Sequence, residues 1–112
     1  MKLLEIKVNK REEVINVLTK EIKKQKLTTG AIVSVIGAVD ECQINDMKKN
    51  NAMKDVFHQY KEPMELSGNG EIKDGKPHIH CILSRESGET VGGHLHRAVV
   101  KSWFVNIFVL VK

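Results

Sequence analysis

Aromatic residues are scarce in this 112-residue chain: one Trp, one Tyr and three Phe, about 4% of the total. So small a set argues against the base-stacking platform of a single-strand nucleic-acid binder. Cysteine is scarcer still. Cys42 and Cys81 have neither CxxC spacing nor the density of a disulfide framework. No apolar run approaches the roughly 20 residues that cross a bilayer. The opening stretch, MKLLEIKVNKREEV, turns charged too soon for a signal peptide. P-loop and GxGxxG motifs, internal repeats and low-complexity tracts are also missing. These absences, with the length, predict a single domain over 1–112, cytoplasmic and without a membrane partner.

What is present begins with charge. Eighteen Lys and Arg against fourteen Asp and Glu give a formal net charge of +4. The lysines gather at Lys20, Lys23, Lys24 and Lys26, late in a helical pattern, and again at Lys48, Lys49 and Lys54. Cations near a helix C-terminus suit its macrodipole, so solvated helix surface competes with a phosphate-tracking patch as the reading.

Leu4, Ile6 and Val8 alternate with Leu3, Glu5 and Lys7, which predicts a first strand. Asn9 followed by Glu12 has the form of a capping box. Val14, Val17, Leu18 and Ile22 then recur at helical intervals, and the helix is expected to end near Leu27. Ala31–Val39 is β-branched and continuous, so it reads as a strand buried on both faces, with Gly37 marking a bulge or a close backbone approach. Strand character runs on through Cys42 and Ile44; polar Asn45–Lys54 reads as a mobile loop. Val56–Ser67 reads as one strand interrupted at Pro63 and on an edge there, Asn69–Ile72 as a short strand, and Lys73-Asp74-Gly75-Lys76 as a hairpin turn. Pro77–Ser84 is a strand, Arg85–Glu89 a turn, and Val99–Val111 a last strand. That last strand is apolar on both faces, which predicts cover by a second subunit. The order, β-helix-β and then antiparallel strands, is α+β: an antiparallel sheet packed with one main amphipathic helix.

The chemistry is concentrated in Lys76–Arg97, KPHIHCILSRESGETVGGHLHR, which holds four of the five histidines. On a strand, His78 and His80 point to the same side, about 7 Å apart. The Ser87-Gly88 turn and Gly92-Gly93 bring His94 and His96 back beside them. Three imidazoles can converge on a divalent cation, Zn²⁺ foremost, and leave a fourth position open. His78, His80 and His94 are the expected ligands, with His96 in reserve. The competing reading is polar packing on a half-exposed sheet or at a subunit interface. His58 reads as a surface residue. Hydrolysis at an open metal site also calls for a general base, for which Glu71, Glu86 and Glu89 are the nearby acids. Ser34, Ser84 and Cys81 are formal nucleophiles better read as filler, and Cys81 lies on the strand face opposite His78 and His80.

The GAV within Ile36–Val39, the KPHIH of Lys76–His80 and the GGHL of Gly92–Leu95 together resemble the plants-and-prokaryotes-conserved domain, called PPC or PCC. The similarity covers nearly the whole chain. It implies an α+β fold, assembly into homotrimers, and a metal held by histidines at these positions. It also brings the family's DNA-binding label, taken from plant proteins in which a separate AT-hook accompanies the domain. This chain has no Arg-Gly-Arg core of an AT-hook. Its last strand carries Asn106 where the family usually has an acid, which removes an acid/base group or a partner for a histidine. Three functions follow as expectations: a homotrimeric regulatory protein that binds duplex DNA; a metal-dependent enzyme or small-molecule binder with the cluster at a subunit cleft; and a structural module whose histidines only pack.

Overall fold

The computed structural model describes all 112 residues. In chain order the elements are β1 (Lys2–Val8), α1 (Val14–Lys24), β2 (Thr29–Val39), β3 (Glu41–Lys48), β4 (Asn51–Tyr60), β5 (Met64–Lys73), β6 (Lys76–Ser84), β7 (Thr90–Val99) and β8 (Val105–Val111). The eight strands form one antiparallel sheet in the order β1-β8-β2-β5-β6-β7-β3-β4. Helix α1 packs against β1 and also against β6 and β7. In a flat sheet β1 and β7 would stand about 24 Å apart, twice a helix diameter, so the sheet must curl around the helix.

Twenty-four buried residues form one cluster on the concave side, and all are hydrophobic. The helix contributes Val14, Leu18 and Ile22, spaced four residues apart on one stripe. Every strand but β4 contributes alternate residues, such as Val105, Ile107, Val109 and Val111 of β8.

The helix begins later than the Asn9–Glu12 pattern predicts. Glu12 does bond back to the Asn9 N–H at 2.8 Å, as in a capping box, but this closes a turn ahead of the helix. The cap is Glu13, whose carboxylate accepts from the N–H groups of Ile15 and Asn16 at 2.8 Å each and from Ala98 N–H at 2.9 Å. The helix ends in a Schellman motif: Leu27 N–H donates to Ile22 and Lys26 N–H to Lys23, with Lys26 left-handed at φ 55°.

Four further expectations are corrected. Asn45–Lys54 is not a loop; β3 and β4 pair through it as a hairpin, turning at Lys49-Asn50. Val56–Ser67 is split between β4, which lies at the sheet edge, and β5, which is central, and Asn69–Ile72 is the far end of β5. Strand β2 is buried on one face only: Ile32, Val35 and Val39 are buried while Val33 and Ile36 are each 49% exposed. The last strand starts at Val105, because Val100–Phe104 forms a connection held by Asp40, which accepts from Lys101 N–H, Ser102 N–H and Ser102 Oγ–H. The bulge in β2 falls at Val33–Ser34, where the register shifts against both neighbours. Gly37 marks a close approach instead: a Cβ there would lie 2.0 Å from the Phe104 carbonyl oxygen.

The Lys73–Lys76 turn forms as expected, with Asp74 and Gly75 both at positive φ (51° and 76°), as a two-residue hairpin requires. It sets the register of β6 and so the direction of its histidines.

Candidate metal centre

Strand β6 buries Ile79, Cys81 and Leu83 against the helix. The period of two therefore turns His78 and His80 outward, onto the convex face of the sheet. Strand β7 returns antiparallel with His80 directly opposite His94, and Leu95 buried, so His94 also faces out. The three imidazoles converge, with one ring nitrogen from each lying within 4.8 Å of the others. Ring centroids are 4.7 Å apart for His78–His80, 4.8 Å for His78–His94 and 6.1 Å for His80–His94. Tetrahedral zinc with about 2.05 Å bonds needs nitrogens about 3.4 Å apart, so the three rings would have to draw together by at most about 1.4 Å to hold one.

His78 and His80 are exposed and His94 half-buried. Burial lowers the pKa of His94, and the neighbouring His96, His78 and His80 lower it further. Its imidazole therefore stays neutral further into acid than a free one, in the form a metal requires. His96 shares the strand face, and its ring lies 4.7 Å from that of His94, but it is outside the convergent set. Its Nε2–H donates to Oδ1 of Asn45, and its ring packs at 5.1 Å from Phe57. His58 lies on β4 beside Asp46, 3.7 Å away, and is no part of the cluster.

A recess of about 560 Å³ opens beside His78 and His80, walled by Ala31, Val33, Asn69 and Glu71 among others. Of the three acids near the stretch, Glu71 is the one at this site; it is the register partner of His78 on β5. Glu86 and Glu89 belong to the far end of β6, four residue pairs and about 13 Å from His80. There Glu89 pairs with Arg85 at 3.3 Å, and Arg85 also holds Glu62 at 2.6 Å. Asn69, opposite His80, was not foreseen; its signal is the register that the Asp-Gly turn imposes.

Cys81 is buried on the helix face, and burial pushes its thiol up to about 11, with Asp46 adding to the rise and a hydrogen bond with Gly93 opposing it. Cys42, also buried, is pushed up to about 12. Neither offers a thiolate at neutral pH. Asn106 lies on β8, three strands from β6, and contacts none of the histidines through its register partners Lys7 and Ile36. Its Oδ1 is buried without a hydrogen-bond partner.

Three comparisons bear on this arrangement. The family model described as the Plants and Prokaryotes Conserved (PCC) domain matches residues 1–112. Among solved structures, a metal-containing protein from Archaeoglobus fulgidus is 30% identical, with TM-score 0.80, over 98% of this chain and 79% of the other. A plant- and prokaryote-conserved (PPC) protein from Pyrococcus horikoshii is 26% identical, with TM-score 0.79, over 100% and 80%. A candidate DNA-binding protein from Bacteroides thetaiotaomicron shares the fold at 23% identity and TM-score 0.76, over 96% and 76%. No curated protein matches the chain by sequence.

Proposed function

The chain belongs to the PCC-domain family, and from that premise we propose that it is a homotrimeric protein holding one Zn²⁺ per chain on His78, His80 and His94. The observation that carries the reading is the convergence of three outward-facing imidazole nitrogens within 4.8 Å. The metal-containing relative from Archaeoglobus fulgidus supports it. Three neutral nitrogen donors suit Zn²⁺ and would leave a coordination position open. A bound Zn²⁺ supplies a Lewis acid and lowers the pKa of water toward about 7. The chain's own contribution is a half-buried His94 kept neutral, and a recess wall with one carboxylate, Glu71, and one amide, Asn69. This favours a small polar ligand, in a metal-dependent enzyme or small-molecule binder with the cluster at a subunit cleft.

Trimerisation is supported by the convex face. Leu3, Val33, Ile36 and Ile82 are 59%, 49%, 49% and 57% exposed there, an apolar surface that another copy would cover. Calorimetric titration with Zn²⁺ tests the site. About one ion per chain is expected for the wild type, and none at the same affinity for His80→Ala or His94→Ala. Equal zinc binding by all three proteins refutes the assignment.

A second reading, duplex DNA binding in a regulatory role, is favoured by a different observation, the distribution of lysines over the surface. The Bacteroides relative described as a candidate DNA-binding protein is consistent with it.

A further inference from the structure

The register gathers an excess of positive charge at one end of the molecule. Strand β1 starts there at Lys2, opposite Val111, which precedes Lys112. Strand β5 ends there at Lys73, opposite Thr29, and β6 starts there at Lys76. Gly75 N–H donates to Thr28 at 3.0 Å, which ties this end of the sheet to the exit of the helix and so to Lys24 and Lys26. Lys2, Lys24, Lys26, Lys73, Lys76 and Lys112 are all exposed. None takes part in an ion pair, whereas Arg85, Arg97 and Lys101 all pair with glutamates elsewhere. One acid lies within the group, Asp74 in the turn between Lys73 and Lys76, and Glu21 and Glu71 border it.

Lys73 and Lys76 make the point most directly. They stand opposite each other in the hairpin, and like charges so placed repel and destabilise the pair. The fold gains nothing from that arrangement, but an anion bridging both ammonium groups does.

We propose that this lysine-lined end, which adjoins the histidine centre through Lys76 two residues before His78, is the surface on which the protein meets the phosphate backbone of duplex nucleic acid. The inference rests on the second reading above and adds the place and mode of contact. Followed along the curled sheet, this end runs about 19 Å from β1 to β6, with the helix-exit lysines about 10 Å to its concave side. A duplex carries one charge per about 1.7 Å of axis, enough to neutralise every lysine of such a footprint. The chain's aromatic residues, Phe57, Tyr60, Trp103, Phe104 and Phe108, all lie outside this group, so base stacking has no part in it. Binding is therefore to backbone, and sequence-independent.

The test is a fluorescence-anisotropy titration of a 20-bp duplex over a salt series, using the whole chain. The wild type should give a log–log salt slope of about −5, with A·T-rich and G·C-rich duplexes bound alike. Lys24→Ala/Lys73→Ala/Lys76→Ala should lose at least tenfold in affinity and about 3 from the slope, with an unchanged or higher Tm. The control Lys48→Ala/Lys49→Ala/Lys54→Ala, at the β3–β4 turn, should stay within about twofold. A wild type that binds no duplex overturns both the DNA reading and this surface. A wild type that binds, with the loss confined to the control variant, overturns the surface alone. Phosphatidylserine vesicles bound by the lysine end while duplex is ignored would overturn the assignment to nucleic acid.

Discussion

Glu13 closes the helix start and ties it to the sheet with one carboxylate, through Ile15 N–H, Asn16 N–H and Ala98 N–H. Loss of an N-cap costs about 1 kcal/mol, and here a half-buried sheet N–H is orphaned as well. Glu13→Ala should therefore lower stability by about 2 kcal/mol in urea unfolding, while Glu12→Ala should cost well under half of that. Equal effects would return the cap to the Asn9–Glu12 pattern. Gly37 is the second residue with a specific prediction. Its Cβ would sit 2.0 Å from the Phe104 oxygen and 2.7 Å from Val105 Cα. Gly37→Ala must push β2 and β8 apart, at a cost of about 2–3 kcal/mol; a variant with unchanged Tm would contradict the packing. The sequence marked Gly37 as either a bulge or a close approach; the second holds, and the bulge falls earlier in β2. The sequence misplaced the cap because Asn9 and Glu12 do bond as a capping box does, one turn too early.

At the scale of elements, the legible parts were those with a strong period or a turn signature. Helix α1 has its apolar stripe, β6 its alternation, and Asp74-Gly75 a turn chemistry that few other conformations want. The β3–β4 hairpin was hidden because its outer half buries nothing. Met47, Met53 and Phe57 are 71%, 93% and 54% exposed, so no apolar alternation distinguishes strand from loop. The β2 bulge was hidden because register slips are set by both neighbours at once. The connection before β8 was read as strand because Trp103 and Phe104 continue the apolar run. In the fold Asp40 draws that segment away by accepting from Lys101 and Ser102. Burial acts to raise the pKa of Asp40, but the Lys101 and Ser102 hydrogen bonds outweigh it, and the net shift is downward from 3.8. A depressed carboxylate pKa stabilises the fold above the unfolded value and ceases to do so as pH falls through the folded one. The stability gap between wild type and Asp40→Asn should accordingly be full at about pH 6 and close as pH falls below about 3.8. A gap that is constant with pH would mean that Asp40 acts through shape alone.

The whole molecule is a curled sheet with a dry concave side around one helix and a convex side that is apolar in its middle. The histidines stand on that convex side, and the lysine-lined end lies where β1, β5, β6, β8 and the helix exit meet. His-x-His on a strand and a GGHL return were enough to propose His78, His80 and His94 from sequence. What sequence could not supply was the third dimension: which acid shares the recess, and that His96, though beside His94, bonds to Asn45 and packs on Phe57. If a second copy covers the convex face, a charge there blocks assembly without touching the core. Ile36→Lys/Ile82→Lys should sediment as a folded monomer, and an unchanged mass would place the interface elsewhere. Because ligating imidazoles must be unprotonated, zinc affinity should weaken in acid, and an affinity that does not change with pH would contradict ligation by histidine. Most direct of all is metal content and mass in solution on the same purified sample, with His80→Ala and His94→Ala beside it. About one zinc per chain in a trimer, lost in both variants, is the predicted result; a trimer that takes up no zinc would contradict the metal centre.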